Sequence, residues 1–314
     1  MIAACGGSTT ANKPPPSPEN PTFTPYAQPS PQPAQKTEAS LPVPIEEAAA
    51  AATGGKLYVM GGFNAAGVSL NSTYVFDGSS WQSGPSLPLG LDHPSATTFA
   101  GQVYIAGGHS NGLDSARLFR LDGDHWTELA PMRYARGGHA LIAFQGKLYA
   151  VGGNNSRINV PQVEAYDPTN NTWSVVTSLP DPRNHLMGFV LKSGLCVAGG
   201  RSPTTARVDC FNSSWSSMPA LPAATSGGGA AAFAGGDVVV TGGQDASETR
   251  IVDQLERWDG HAWTGEAMLS PRHGFELAIY EGRAWACGGG SAPGLHPVAI
   301  CTSIGDPAAL ARGR

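Results

Sequence analysis

The chain has 314 residues, a formal net charge of −5, only 14% charged residues, and 41 glycines with 26 prolines. That balance leaves no concentrated basic surface, so nucleic acid is not an expected partner, and no stretch approaches the roughly 18 apolar residues of a membrane-spanning helix. High Gly and Pro with low charge point to many short strands joined by tight turns.

In chain order the first element is Ile2-Ala3-Ala4-Cys5-Gly6-Gly7. It resembles a bacterial lipobox, in which small residues precede a cysteine that becomes lipidated. The resemblance implies a lipidation site at Cys5 within residues 1–5 and an extracytoplasmic place in the cell envelope. The charged and apolar regions that precede a lipobox are missing: either translation begins upstream of Met1 or the match is accidental. Residues 6–34 are rich in Ser, Thr, Gln and Pro, with Pro14-Pro15-Pro16 at their centre. Such a segment buries too little apolar surface to offset its ordering entropy and is expected to be a disordered, extended spacer. The membrane is a partner only through the lipid anchor, and one acyl chain binds weakly, so a firm anchor needs several.

Residues 35–305 carry an internal repeat. An apolar strand ending in Gly-Gly recurs six times, at Gly61-Gly62, Gly107-Gly108, Gly152-Gly153, Gly199-Gly200, Gly242-Gly243 and Gly288-Gly289. A period of roughly 45 residues means one supersecondary unit repeated. Each unit reads as a small-residue strand, the diglycine strand, a variable loop, a third strand, and an outer strand marked by Trp81, Trp126, Trp173, Trp215 or Trp263. Tyr166-Asp167-Pro168-Thr169-Asn170-Asn171-Thr172-Trp173 closely resembles the kelch signature. The resemblance implies an all-β fold, a six-bladed kelch β-propeller with four-stranded antiparallel blades. Stacking in a ring covers both apolar faces of such blades. The sixth unit lacks its Trp strand, and residues near 35–41 align with the ends of outer strands, so an N-terminal strand is expected to close the ring and protect its edges. Residues 306–314 read as a disordered tail.

Cys196 and Cys210 fall on neighbouring strands of the fourth unit, Cys287 and Cys301 on those of the sixth. Side chains directly across an antiparallel pair come within disulfide reach. Two intra-blade disulfides are expected, in keeping with an oxidising compartment; buried free thiols are the alternative.

Alignment on the diglycines places Ile45, Leu91, Arg136, Arg183, Ser226 and Arg272 at one position, sixteen residues before each pair. The next residues include Glu46, Glu47, Asp92, His93, His185 and His273. The loops after the diglycines, expected on the same rim, add His109, Asn154, Asn155, Arg157, Arg201, Gln244 and Asp245. In some kelch proteins arginines at the matching position line a pocket for acidic peptides, and a planar guanidinium suits carboxylates. The resemblance therefore offers Arg136, Arg183 and Arg272 as ligand-binding residues, with His109, Asn155, Arg157, His185, Arg201 and His273 around them. The alternative is that the arginines only brace neighbouring loops.

Enzyme signatures are weaker. Gly108-His109-Ser110-Asn111-Gly112 fits the nucleophile-elbow pattern, but a strand rather than a helix follows. No zinc-type Cys or His spacing is present, and neither a metal nor a cofactor is expected. The primary expectation is a non-catalytic platform for a protein, peptide or glycan. The enzymatic alternative comes from resemblance in size, blade count and compartment to kelch propellers that interconvert sialic acid anomers. It implies a sugar-acid mutarotase or epimerase in which Glu47, Asp92, His93 or His185 supplies acid and base.

Overall fold

The structure is a computed structural model and describes residues 35–156 and 158–306. The readings made for Cys5, the segment 6–34, Arg157 and the tail beyond residue 306 lie outside the described residues. Every regular element among the described residues is a β-strand. Six four-stranded antiparallel paths form the blades of a propeller, the second carrying an extra hairpin strand at its rim. The innermost strands are Ala49–Thr53, Asp92–Phe99, Ala140–Phe144, Met187–Leu191, Gly229–Ala232 and Leu277–Tyr280, and each meets the next around a central axis.

The strand sequences follow from this stacking. A blade is covered on both sides, so its second strand reads as a continuous apolar run, such as Gly194–Ala198, buried at every position. Each junction holds its own apolar cluster. Between the first two blades, Ala49 and Met60 pack with Leu91, Val103, Ile105 and Trp126. Between the sixth and first, Ala50, Val59 and Phe76 pack with Tyr280, Trp285 and Cys301. The sixth blade takes its outer strand from Lys36–Glu38, antiparallel to Cys301–Gly305. The ring is closed as the repeat implied, and Leu41 buries itself at the closing junction.

Two repeated devices tie blade to blade. Outer-strand tryptophans other than Trp215 donate their indole N–H to the preceding blade: Trp126 to Pro85 O at 2.9 Å, Trp173 to Ala130 O at 2.8 Å, and Trp81 across the closure to Ala39 O at 2.8 Å. The diglycines tie each blade to the following one on the inner side. Gly62 N–H donates to Leu91 O at 2.7 Å, and Gly289 N–H to Ile45 O at 2.8 Å. A Cβ on Gly61 would stand 2.5 Å from the same Leu91 oxygen, which is why a side chain is not tolerated there.

Cys196 pairs directly across from Cys210, and Cys287 from Cys301, with Cα–Cα distances of 4.0 and 4.1 Å; both pairs are disulfides. Alignment on the diglycines slips by one residue in the fifth blade. Its inner hairpin turns between Ala232 and Val238, whereas the first blade turns between Thr53 and Lys56. Thr225, not Ser226, therefore occupies the repeated position: its carbonyl accepts from Gly200 N–H as Leu91 accepts from Gly62.

Candidate functional site at the propeller mouth

The three aligned arginines do not reach the rim surface. Arg136, Arg183 and Arg272 are 0%, 1% and 0% exposed. Arg136 Nη2 donates to Glu164 Oε2 at 2.7 Å, and Arg183 Nη2 lies 3.0 Å from Asp209 Oδ2, each acid standing on the third strand of the same blade. Where the arginine position is apolar an aromatic residue stands at the matching third-strand position and packs in the same cluster, Tyr74 with Ile45 and Phe119 with Leu91; the matching residues are Glu256 in the fifth blade and Thr302, which accepts from Arg272, in the sixth. The position is an interior brace, and the expectation that these arginines contact ligand is corrected on that ground. A guanidinium that leaves water is costly unless paired; for Arg136 and Arg183 the pairing acid lies inside the blade, whereas Arg272 Nη2 donates to Thr302 Oγ1 at 3.0 Å and Ala286 O at 3.2 Å.

Two residues beyond that position the six blades form a closed circle of backbone hydrogen bonds. His93 N–H donates to Glu47 O, Gly138 to His93 O, His185 to Gly138 O, Gly227 to His185 O, Gly274 to Gly227 O and Glu47 to Gly274 O, at 2.6–3.0 Å. All six residues have positive φ, between 52° and 70°. Glycine adopts this conformation freely, whereas another residue is strained by roughly 1–2 kcal/mol. Blades three, five and six use glycine, but blades one, two and four place Glu47, His93 and His185 there. Gly138 and Gly274 also make room: a Cβ on them would meet His185 Nδ1 and Glu47 Oε1 at 2.8 Å.

The three ionisable side chains converge on the axis. His93 Nε2 lies 3.6 Å from Glu47 Oε2, and the rings of His93 and His185 are 4.9 Å apart. Asp92, buried, holds His93 Nδ1 at 2.7 Å and accepts from Ser69 Oγ at 2.5 Å. Asn184 Oδ1 holds His185 Nδ1 at 2.6 Å, leaving Nε2 to accept from Arg201 Nη2 at 2.9 Å. His109, oriented by Asp114 at 3.0 Å, stacks edgewise on His93. His273 approaches Glu46 at 3.3 Å and Glu47 at 3.7 Å. A cavity of about 270 Å³ opens above, lined by Glu46, Glu47, Phe63, His93, Arg201, Gln244, Glu248 and His273 among others. Asn155 lies in a short hairpin, Asn154–Asn155 with Ile158–Asn159, and does not line this cavity. Ser110 pairs with Leu113 in a hairpin, so the elbow pattern is not a strand-to-helix turn.

The electrostatics are mixed. Burial raises Glu47, but the imidazoles of His93 and His273 outweigh it and hold its carboxyl below the usual carboxylate range. Burial disfavours a charged His93, yet Glu47 and Asp92 overcome that and raise its pKa. His185, buried beside the Arg201 guanidinium, sits well below the usual imidazole range. Burial pushes Glu46 up to about 7 although His273 pulls it down.

Beneath the circle the channel holds residues that the sequence reading missed. Glu276 crosses from the sixth blade to accept from Ser95 Oγ at 2.6 Å, Ala50 N at 3.0 Å and Ala96 N at 3.1 Å. His139 lies beside it, buried, with neither ring nitrogen hydrogen-bonded among the described residues. The available signal was an acid opening an inner strand otherwise built of small and apolar residues. At the far end the channel widens into a vestibule of about 390 Å³, lined by small and apolar side chains with Thr97 and Thr98.

Enclosure in the channel pushes Glu276 up to about 7 from an ordinary 4.5. Such a group favours folding fully below pH 4.5, and that contribution is lost as pH rises through 7. A shift of this size corresponds to about 3 kcal/mol. Glu276→Gln is expected to raise the melting temperature relative to the parent at pH 8.5 and to give little gain at pH 4.5. Equal effects at both pH values would contradict the shift.

Residues 30–200 match the family described as the KLHDC2/KLHL20/DRC7 Kelch-repeats domain. Kelch-like protein 25 of Xenopus tropicalis is 31% identical over 197 residues, 57% of this chain and 33% of that protein. Kelch-like protein terF of Aspergillus terreus is 23% identical over 291 residues, 81% of this chain and 63% of that protein. The chain thus spans less than two thirds of the length of these curated relatives. The solved structure of YjhT aligns with a TM-score of 0.73 and 16% identity, over 85% of this chain and 97% of that one, a likeness of fold.

Proposed function

The chain belongs to the kelch-repeat family, and from that premise we propose that it is a non-catalytic binding module outside the cytoplasm, holding a protein, peptide or glycan ligand at the axial mouth. One observation carries the reading. Three blades accept a strained backbone to bring Glu47, His93 and His185 together at a position where the other three use glycine. Strain held at a site without a packing reason is a mark of function. Arg201, Gln244 and Glu248 supply a polar wall beside them, and Phe63 an aromatic one. Two cross-strand disulfides and the lipobox-like Cys5 support the extracytoplasmic part of the proposal.

The test is selection of binders from peptide-display and glycan-array libraries on the intact protein. Binders are expected to lose at least tenfold in affinity when Glu47, His93 and His185 are all replaced by glycine. They should be indifferent to Thr98→Lys in the opposite vestibule. Binders that respond only to the vestibule change would overturn the assignment.

A second reading, a sugar-acid mutarotase, is favoured by one feature: Glu46, pushed up to about 7 by burial, stands 3.3 Å from His273, a carboxyl and an imidazole placed for acid and base roles. On this reading the protein accelerates anomer exchange of freshly dissolved sialic acid, followed by NMR, and Glu46→Gln abolishes the acceleration. An uncatalysed rate with the parent protein would remove this reading and leave the binding one standing.

A further inference from the structure

We propose that Glu47, His93 and His185 form a binding site for one divalent first-row transition-metal ion on the propeller axis. One carboxylate oxygen and two imidazole nitrogens from these residues lie within 4.8 Å of one another. Two imidazoles and a carboxylate suit zinc, iron, nickel or copper, with open positions left for an outside ligand.

The supporting shell is already in place. An imidazole that ligates a metal through one nitrogen usually hands its other N–H to a carboxylate or carbonyl oxygen. His93 Nδ1 meets Asp92 Oδ1 at 2.7 Å, and His185 Nδ1 meets Asn184 Oδ1 at 2.6 Å. Asp92 is in turn fixed by Ser69, and the second oxygen of Glu47 faces His273 Nδ1 at 3.7 Å. His93 therefore keeps Nε2 for an ion, as does His185 once Arg201 moves off it, and the carboxylates of Glu47 and Asp92 offset its charge. His109 is oriented in the same way by Asp114 but is outside the set of atoms sharing that distance.

Arg201 is the competitor. Its Nη2 donates to His185 Nε2 at 2.9 Å, while Nη1 lies 3.1 Å from the half-exposed Glu248 carboxylate. A guanidinium N–H can donate there only to a lone pair, so Nε2 of His185 presents to the axis the electron pair that a metal requires. Ion binding displaces Arg201 towards Glu248 and draws the three ligands inward by about 1 Å to reach bonds of about 2.0–2.2 Å. The open positions then face the mouth cavity, which Glu47, His93 and Arg201 all line. The three ligands come from three blades, so no local spacing in the sequence announces them.

The site shares the mouth with the ligand reading above but does not depend on it, since the metal alone is the probe. Tag-free, metal-stripped protein is titrated with Zn²⁺ by calorimetry and with Co²⁺ by visible absorption. One ion per chain is expected at saturation. His93→Gly and His185→Gly install the residue that three blades already carry at this position, and each is expected to weaken binding at least tenfold. Arg201→Met, which removes the competing cation, is expected to tighten it. Absence of saturation at one equivalent, unchanged affinity in the glycine variants, or weakening by Arg201→Met would each overturn the site; the last would mark an anion site instead.

Discussion

Replacing Glu164 by glutamine is expected to destabilise the propeller by about 3–5 kcal/mol, the loss that follows when one partner of a buried ion pair is removed. The side chains of Arg136 and Glu164 are both 0% exposed. Arg136 also donates to Gly152 O and Gln162 O, at 3.0 and 2.9 Å, and Glu164 accepts from Arg133 N at 2.7 Å. Glutamine preserves the shape and the acceptor but leaves the guanidinium charge uncompensated. Blade two shows what an uncharged solution looks like, with Leu91 and Phe119 at the same two positions. Arg136→Leu combined with Glu164→Phe is therefore expected to recover most of the loss, because a well-packed apolar pair can match a buried ion pair. Chemical denaturation of the two variants provides the measurement. A loss under about 1 kcal/mol for Glu164→Gln would show that the pair is not a brace and would return Arg136 to the candidates for ligand contact.

Removing residues 1–43 is expected to lower the melting temperature by several degrees or to cause aggregation. The deletion takes away the outer strand Lys36–Glu38 and exposes the edge of Cys301–Gly305. It also removes Leu41 from the closing junction, the Ala39 carbonyl that accepts from Trp81, and Glu38, which accepts from Ser303 Oγ at 2.5 Å. A free strand edge is a template for pairing with another chain. Size-exclusion chromatography and thermal melts report both outcomes. A protein ending its deletion at residue 34 is the control, since it keeps the strand. Identical behaviour of the two would contradict closure by residues 35–41.

The fold was legible because its determinants are local and repeated: a diglycine, a small-residue strand and a Trp strand recur with nearly constant spacing. Even the closing strand could be inferred, since the sixth unit lacks a piece that residues 35–41 resemble. The site was legible only in part. The repeat assigns Glu47, His93 and His185 to one rim, but the circle of backbone hydrogen bonds joining them involves six blades and has no local signature. Arg136, Arg183 and Arg272 misled because charged residues beside a channel suggest ligand contact. Their partners on the third strand, Glu164, Asp209 and Thr302, become apparent only when two positions of the repeat are compared together across blades. Apolar Ile45 and Leu91, each matched to an aromatic residue, were the available hint. In the fifth blade a longer hairpin shifted the alignment by one residue and hid Gly227 as a member of the circle.

On the proposed function, the side chains on the circle serve the mouth and not the fold. The most direct measurement is the melting temperature of the variant carrying Glu47→Gly, His93→Gly and His185→Gly together. Glycine relieves the left-handed strain at three positions, so the variant is expected to melt at or above the parent temperature while losing capture of mouth-directed binders. A variant that unfolds many degrees lower, or one that retains full binding, would contradict the account.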